Sequence, residues 1–299
     1  QDIAMLLSKI TAESKSIFIK KGEQTYYKPK TLQEVLELRL SNPKAIIING
    51  ATDVVLRQNK KHEFLREIID ISGVEELKFF KNNENEWIFG AGLSMQSVLK
   101  LTEKQFAPLH NILKVFGSLQ IRNIATIGGN IGSASPIGDT LPVLFAAGAI
   151  VNIMSLNSTR NVKIEEFITG YRSVDLRQGE IIYSITIPKP LNDEIIKSYK
   201  FSKRKDLDIS TVSAAFKLKL SAKKDVEDAV FAYGGMAATT KRAYKAEQYI
   251  KGRKWDIDTV EQAAALVRDE FIPISDARAD AETRRIACGN LLIKFWTET

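Results

Sequence analysis

The segment Gln120–Pro142 reads QIRNIATIGGNIGSASPIGDTLP and sets small, backbone-freeing residues between apolar anchors. Gly128, Gly129, Gly132 and Gly138 lack a Cβ, so main-chain N–H groups there can approach a phosphate closely. Ser133, Ser135 and Thr126 add hydroxyl donors, and Asp139 is an acceptor suited to a sugar hydroxyl or a ring N–H. One reading is a glycine-rich loop that walls a phosphate-containing cofactor. The other is a tight multi-turn loop whose glycines serve geometry alone, and composition does not separate the two. No Gly-x-Gly-x-x-Gly opens a helix after a strand, and no Gly-Lys-Ser/Thr follows a glycine loop. A Rossmann dinucleotide site and a P-loop are therefore disfavoured.

A second segment, Ala45–Val55 (AIIINGATDVV), reads as a strand running into a small-residue turn. Gly50-Ala51-Thr52 would expose consecutive N–H groups at its end; the plain alternative is strand, turn and strand.

Around these motifs the chain divides into three. Residues 1–22 begin with an apolar helical pattern (Ile3, Met5, Leu6, Ile10) and end in a strand-like piece. Residues 23–190 open with a capping box, Thr31 with Glu34. Strands are expected at Ala45–Asn49, Ile68–Ile71, Trp87–Gly90, Ile150–Ser155 and Ile181–Ile187. Helices are expected after Thr31 and Ser94, up to Phe116, and over Leu141–Gly148. A linker, Lys189–Glu194, precedes a third part over residues 195–297. There the alternation Phe216–Leu220 predicts a strand, Asp228–Tyr233 its hairpin partner, and Ala243–Lys251, Thr259–Glu270 and Ala281–Trp296 helices. Strands followed by helices argue for an α+β domain.

Composition narrows the function classes. At 299 residues and 44% hydrophobic content the chain suits about two domains with proper cores. No apolar run approaches the roughly 20 residues of a membrane span, and no secretory signal opens the chain. A cytoplasmic home is the economical expectation. The single cysteine, Cys288, can hold neither an intrachain disulfide nor an iron–sulfur cluster, and is expected as a small buried hydrophobe. His62 and His110 are far apart in sequence, so no metal constellation is expected. The net charge of +7 is scattered, without an aromatic-interleaved basic stripe, which argues against nucleic-acid binding. Some of it suits an anionic cofactor or a partner subunit.

The sequences IINGATD and ATIGGNIGSASPIGDTLPVLFAAGA together resemble the two flavin-contacting loops of the FAD-binding part of molybdenum hydroxylases. Among these the resemblance is nearest to the xanthine dehydrogenases, in particular the small subunit of the bacterial enzymes. It runs on through Tyr171-Arg172, Glu180-Ile181-Ile182, Tyr199–Ile209 and Tyr233-Gly234-Gly235-Met236-Ala237, and so covers about residues 25–297. It implies a two-part FAD-binding domain of the vanillyl-alcohol-oxidase/CO-dehydrogenase-flavoprotein type, followed by a small α+β C-terminal domain.

By position, Ile47, Ile48, Asn49, Gly50, Ala51, Thr52, Asp53 and Val54 would wrap the pyrophosphate and ribityl region. Thr126, Gly128, Gly129 and Asn130 would form the opposing wall, continued by Ser133, Ser135 and Asp139. Phe116 and Ile182 match residues flanking aromatic parts of the cofactor, and Lys200 matches a cofactor-contacting lysine. Tyr171, Arg172 and Asp208 match acceptor-side positions. No catalytic side chain is expected, because the chemistry is the cofactor's. FAD would be non-covalent, since neither histidine falls in the matched loops and Cys288 lies in the last helix.

The resemblance implies NAD or dioxygen as acceptor, with molybdenum cofactor and [2Fe-2S] clusters on partner chains or an upstream region. It also implies a doubled hetero-oligomer containing a molybdopterin-binding large subunit. The first residues match the segment that joins an iron–sulfur portion to the flavin portion. Two departures stand out: Ala51 replaces what is often a polar residue or glycine, and Leu207 replaces an often acidic residue, while Asp208 is retained.

Overall fold

The computed structural model describes Ile3, Met5 and residues 15–299. The helical pattern expected over residues 3–10 therefore lies outside the described residues, apart from Ile3 and Met5, which are helical.

The first unit is a four-stranded sheet in the order β1-β2-β4-β3. Strands β1 (Ile17–Lys21) and β2 (Gln24–Lys28) form an antiparallel hairpin, and β4 (Glu67–Asp70) runs parallel to both β2 and β3 (Ile46–Ile48). The boundary expected at residue 22 falls on the turn of this hairpin, so Ile17–Lys21 belongs to the sheet. Helix α1 (Leu32–Ser41) starts where the capping box predicts: the Thr31 hydroxyl accepts the Glu34 N–H, and the Glu34 carboxylate accepts the Thr31 N–H. It buries Val35 and Leu36 on Ala45, Ile69, Ile71 and Leu77. Helix α2 (Val55–Lys61), between β3 and β4, has no buried residue.

The second unit is an antiparallel five-stranded sheet, β5-β6-β11-β7-β8, with helices packed on it. Its strands are β5 (Phe80–Asn82), β6 (Glu86–Gly90), β7 (Ile150–Met154), β8 (Thr159–Lys163) and β11 (Ile181–Pro188). Between β6 and β7 come α3 (Met95–Thr102), α4 (Ala107–Lys114), α5 (Leu119–Ile124), α6 (Ile127–Ser133) and α7 (Thr140–Ala146). The short helix α8 (Ile164–Phe167) and a separate small hairpin, β9 (Ile168–Gly170) with β10 (Ser173–Val174), precede β11.

The glycine-rich stretch, expected as a loop, holds two short helices, α5 and α6. Ser118 and Thr126 cap them, each accepting a backbone N–H three residues on. These caps, and the packing of α6 on the end of β6, overcome the poor helix propensity of glycine.

The third unit is the antiparallel sheet β12-β13-β14-β15, formed by Glu194–Phe201, Val212–Leu220, Val226–Gly234 and Lys241–Arg242. Helices α9 (Tyr244–Ile250), α10 (Ile257–Glu270) and α11 (Ala281–Thr297) cover one face. The linker expected to reach Glu194 is shorter, because Glu194 already pairs with Lys219 in the sheet. Period-two alternation along β13 splits its side chains between two cores. Ala214, Phe216 and Leu218 face the helices, while Ala215 joins the core of the second unit. Helix α7 packs on that second face with all seven residues buried, which welds the third unit to the second. Cys288 is fully buried on α11, and burial pushes its thiol up to about 12. Among the described residues no helix is long and apolar enough to cross a membrane.

Candidate cofactor site

After β3 the chain turns sharply at Asn49–Val54. Gly50 has φ +83°, and a Cβ there would lie 2.0 Å from the Ile124 carbonyl oxygen, so only glycine lets the turn seat against the end of α5. Ala51 follows at φ +55°, a left-handed conformation unfavourable for a residue with a Cβ. Among the described residues, the N–H groups of Gly50, Ala51, Thr52, Asp53 and Val54 have no protein acceptor. Successive unpaired N–H groups on a tight turn form a concavity that suits an anion. This is the fit expected of a diphosphate-bearing cofactor.

The glycine-rich segment is arranged differently. The Gly128 N–H donates to the Ala91 carbonyl at 3.0 Å, and the Ile127 N–H to that of Leu93 at 3.0 Å. The Gly129 N–H goes to the Thr126 hydroxyl at 3.1 Å, and the Asn130 N–H to the Thr126 carbonyl at 2.9 Å. A Cβ on Gly128 would sit 2.6 Å from the Ala91 Cβ. The N–H groups of Gly128 and Gly129 are thus spent inside the protein, and close packing explains Gly128. This corrects the expectation that they are free to meet a phosphate. The Thr126 hydroxyl reaches the Asn49 carbonyl at 3.4 Å, which brings the two segments into contact. Thr140 donates to the Asn130 side-chain oxygen, and the Ser133 hydroxyl to the Asn130 carbonyl at 2.9 Å.

Asp139 and Lys200 meet each other in the seam between the second and third units. The Lys200 Nζ lies 2.8 Å from the Asp139 carboxylate and 3.2 Å from the Val115 carbonyl; Ser210 donates to the other Asp139 oxygen. Both charged side chains are almost fully buried. Phe116 is half-buried against the core of the second unit, and the Ile182 Cδ1 packs beside Gly132. Ser135 is half-buried at the turn after α6.

Arg172, at the tip of the β9–β10 hairpin, grips Asp53 with both terminal nitrogens, at 2.7 and 3.2 Å. That carboxylate holds its guanidinium above the usual range, against the opposing effect of partial burial. Tyr171 beside it is exposed. Asp208 lies apart, on the exposed loop 202–209, where it accepts the N–H groups of Arg204 and Ile209. The first of these bonds chiefly holds its carboxyl below the usual range. A pocket of about 270 Å³ beside this loop is lined in part by Asn111, Val115, Lys200 and Arg204.

Residues 20–190 match the family described as FAD binding domain in molybdopterin dehydrogenase, and residues 197–299 the CO dehydrogenase flavoprotein C-terminal domain. The chain belongs to the molybdopterin dehydrogenase flavoprotein family. It is 33% identical over 291 residues to xanthine dehydrogenase 1 of Arabidopsis thaliana, covering 92% of this chain and 21% of that protein. Over 300 residues it is 32% identical to a nicotinate hydroxylase of Emericella nidulans, covering 92% and 22%. The chain therefore spans about a fifth of the length of the curated relatives it matches. Carbon monoxide dehydrogenase from Hydrogenophaga pseudoflava has the same fold, with a TM-score of 0.85 at 21% identity over 92% of this chain and 96% of that one. Quinoline 2-oxidoreductase from Pseudomonas putida 86 gives 0.84 at 23%, over 94% and 98%.

The flavoprotein fold also rests on residues that sequence reasoning missed. Ala91 and Leu93 anchor α6 through their carbonyls, and Ile124 forms the floor under Gly50. Ser210 completes the Asp139 pair from 71 positions away. Arg122 ties α5 to the Phe116 and Gly117 carbonyls. Ala91, Leu93 and Ile124 act through their backbones and Ser210 through a partner distant in sequence, while Arg122 binds nearby carbonyls that no side-chain pattern marks.

Proposed function

We propose that this chain is the FAD-carrying electron-transfer portion of a xanthine dehydrogenase-like molybdenum hydroxylase. It takes electrons from iron–sulfur clusters on a partner and passes them as hydride to NAD. The observation that carries the reading is the arc of unpaired N–H groups from Gly50 to Val54, set against Thr126 and Ile124 in a chain of the flavoprotein family. Bound FAD supplies the capacity to take up electrons singly and to give up two as a hydride.

The chain's own residues hold and enclose. Gly50–Val54 donate to the diphosphate, Ile47, Ile48 and Asn49 bring that arc to the mouth of the sheet, and Thr126, Gly129, Asn130, Ser133 and Ser135 line the facing wall. Gly128 seats that wall on β6. Phe116 and Ile182 give the ring an apolar surround. Asp139 and Lys200, bonded to each other, fix the seam on which the ring side of the site is built. Tyr171 and Arg172 on the hairpin, and Asp208 on the separate loop 202–209, are the candidates for meeting an acceptor.

Molybdenum cofactor and [2Fe-2S] clusters belong to partner chains or to further sequence of a doubled, cytoplasmic assembly. A second reading, FAD portion of a hydroxylase for another N-heterocycle, is favoured by the near-equal identity to the nicotinate hydroxylase. The exposed Leu207 in place of an acidic residue leaves dioxygen as the rival acceptor.

The purified chain with bound FAD is expected to oxidise NADH with an artificial dye as acceptor and to leave xanthine untouched. Xanthine turnover by the chain alone overturns the subunit reading. Failure with NADH alongside rapid reaction of the chemically reduced protein with dioxygen overturns the choice of NAD.

A further inference from the structure

The arc Gly50–Val54 is pinned at both ends. At one end Gly50 lies on the Ile124 carbonyl and Asn49 accepts the Thr126 hydroxyl; at the other, Asp53 is held by Arg172 from 119 positions away. The two anchors differ in kind. The first is backbone packed on backbone, whereas the second is an exposed ion pair carried by a small hairpin of its own. That hairpin is only three and two residues long with an irregular register, and Arg172 sits in it at φ +52°. The hairpin is rooted in the second unit through Ile168 and Val174, so its exposed tip carries Arg172 to Asp53 on a fixed base.

Charge gives the pair a further role. The facing segments 46–54 and 126–139 contain two carboxylates, Asp53 and Asp139, and no lysine or arginine. Asp139 is neutralised by Lys200 in the seam. Asp53 stands on the arc itself, where an unpaired carboxylate would repel the diphosphate that the N–H groups attract.

We propose that the Tyr171-Arg172 hairpin is a clasp over the cofactor arc. Arg172 acts as a positioning residue: by closing on Asp53 it fixes the second end of the arc and removes the charge that opposes a bound diphosphate. Opening of the pair sets the rate at which the dinucleotide leaves. The inference rests on the FAD reading above.

The test is the rate of FAD release from the full chain, followed by the rise of flavin fluorescence after dilution. Arg172→Gln is expected to release FAD roughly tenfold faster at low salt, with the gap narrowing as ionic strength rises. Asp53→Asn added to Arg172→Gln is expected to recover part of that loss, because it removes the uncovered charge. Unchanged release from Arg172→Gln overturns the clasp. So does a failure of Asp53→Asn to recover any of the loss, since Arg172 would then act on the cofactor directly. A wild-type chain that takes up no FAD overturns the function reading itself, which separates the two failures.

Discussion

The two segments that enclose the site solve opposite problems. The glycine-rich stretch 126–134 is closed: its leading N–H groups are bonded to Ala91, Leu93 and Thr126, and Gly128 is where β6 and α6 touch. The plainer turn 49–54 is open: the five successive N–H groups of Gly50 to Val54 have no protein acceptor among the described residues. Glycine density therefore reports close backbone packing, and the donors lie on the segment with a single glycine. One wall is bonded into the scaffold, and the other is the anion cradle we propose.

Substitutions in the two walls should act differently. The largest effect is expected at the seam behind the bonded wall. Lys200→Met leaves the buried Asp139 carboxylate uncompensated and should cost about 3–5 kcal/mol in urea unfolding, with or without FAD. A variant of normal stability with weak FAD binding would instead place Lys200 on the cofactor. Gly50→Ala drives a Cβ into the Ile124 carbonyl at a left-handed φ, and is expected to cost about 2–4 kcal/mol and abolish FAD uptake. Gly128→Ala meets Ala91 and should cost about 1–3 kcal/mol. FAD affinity corrected for stability should stay unchanged in that variant; a specific loss would return the glycine-rich stretch to the role of phosphate donor. Ala51→Gly relieves a left-handed alanine and is expected to raise stability by about 1 kcal/mol at most, read as a small rise in Tm.

Much of the architecture is legible in the sequence, because it is written in local patterns. The Thr31–Glu34 box, the Ser94 cap, the period-two strand around Phe216 and the apolar face of the last helix each specify their element through neighbours a few residues away. The nature of 119–133 is not legible in the same way. Its glycines signal a loop, while the caps at Ser118 and Thr126 and the carbonyls of Ala91 and Leu93 just past β6, supplied by tertiary packing, make it helical. The site residues divide similarly. Sequence places Asn49–Asp53 and Thr126–Asp139 together through resemblance, and the structure brings Asn49 to Thr126. The pairings of Asp139 with Lys200 and of Asp53 with Arg172 span 61 and 119 positions, and nothing distinguishes those charges from the scattered surface ones until the chain has folded.

The central claim is that the arc Gly50–Val54 holds the diphosphate, and the most direct measurement compares FAD with riboflavin on the cofactor-free chain by fluorescence titration. Two or three charge-assisted hydrogen bonds from the arc should make FAD bind about 100-fold more tightly or better. Equal affinity for the two flavins, or no binding of either, would contradict it.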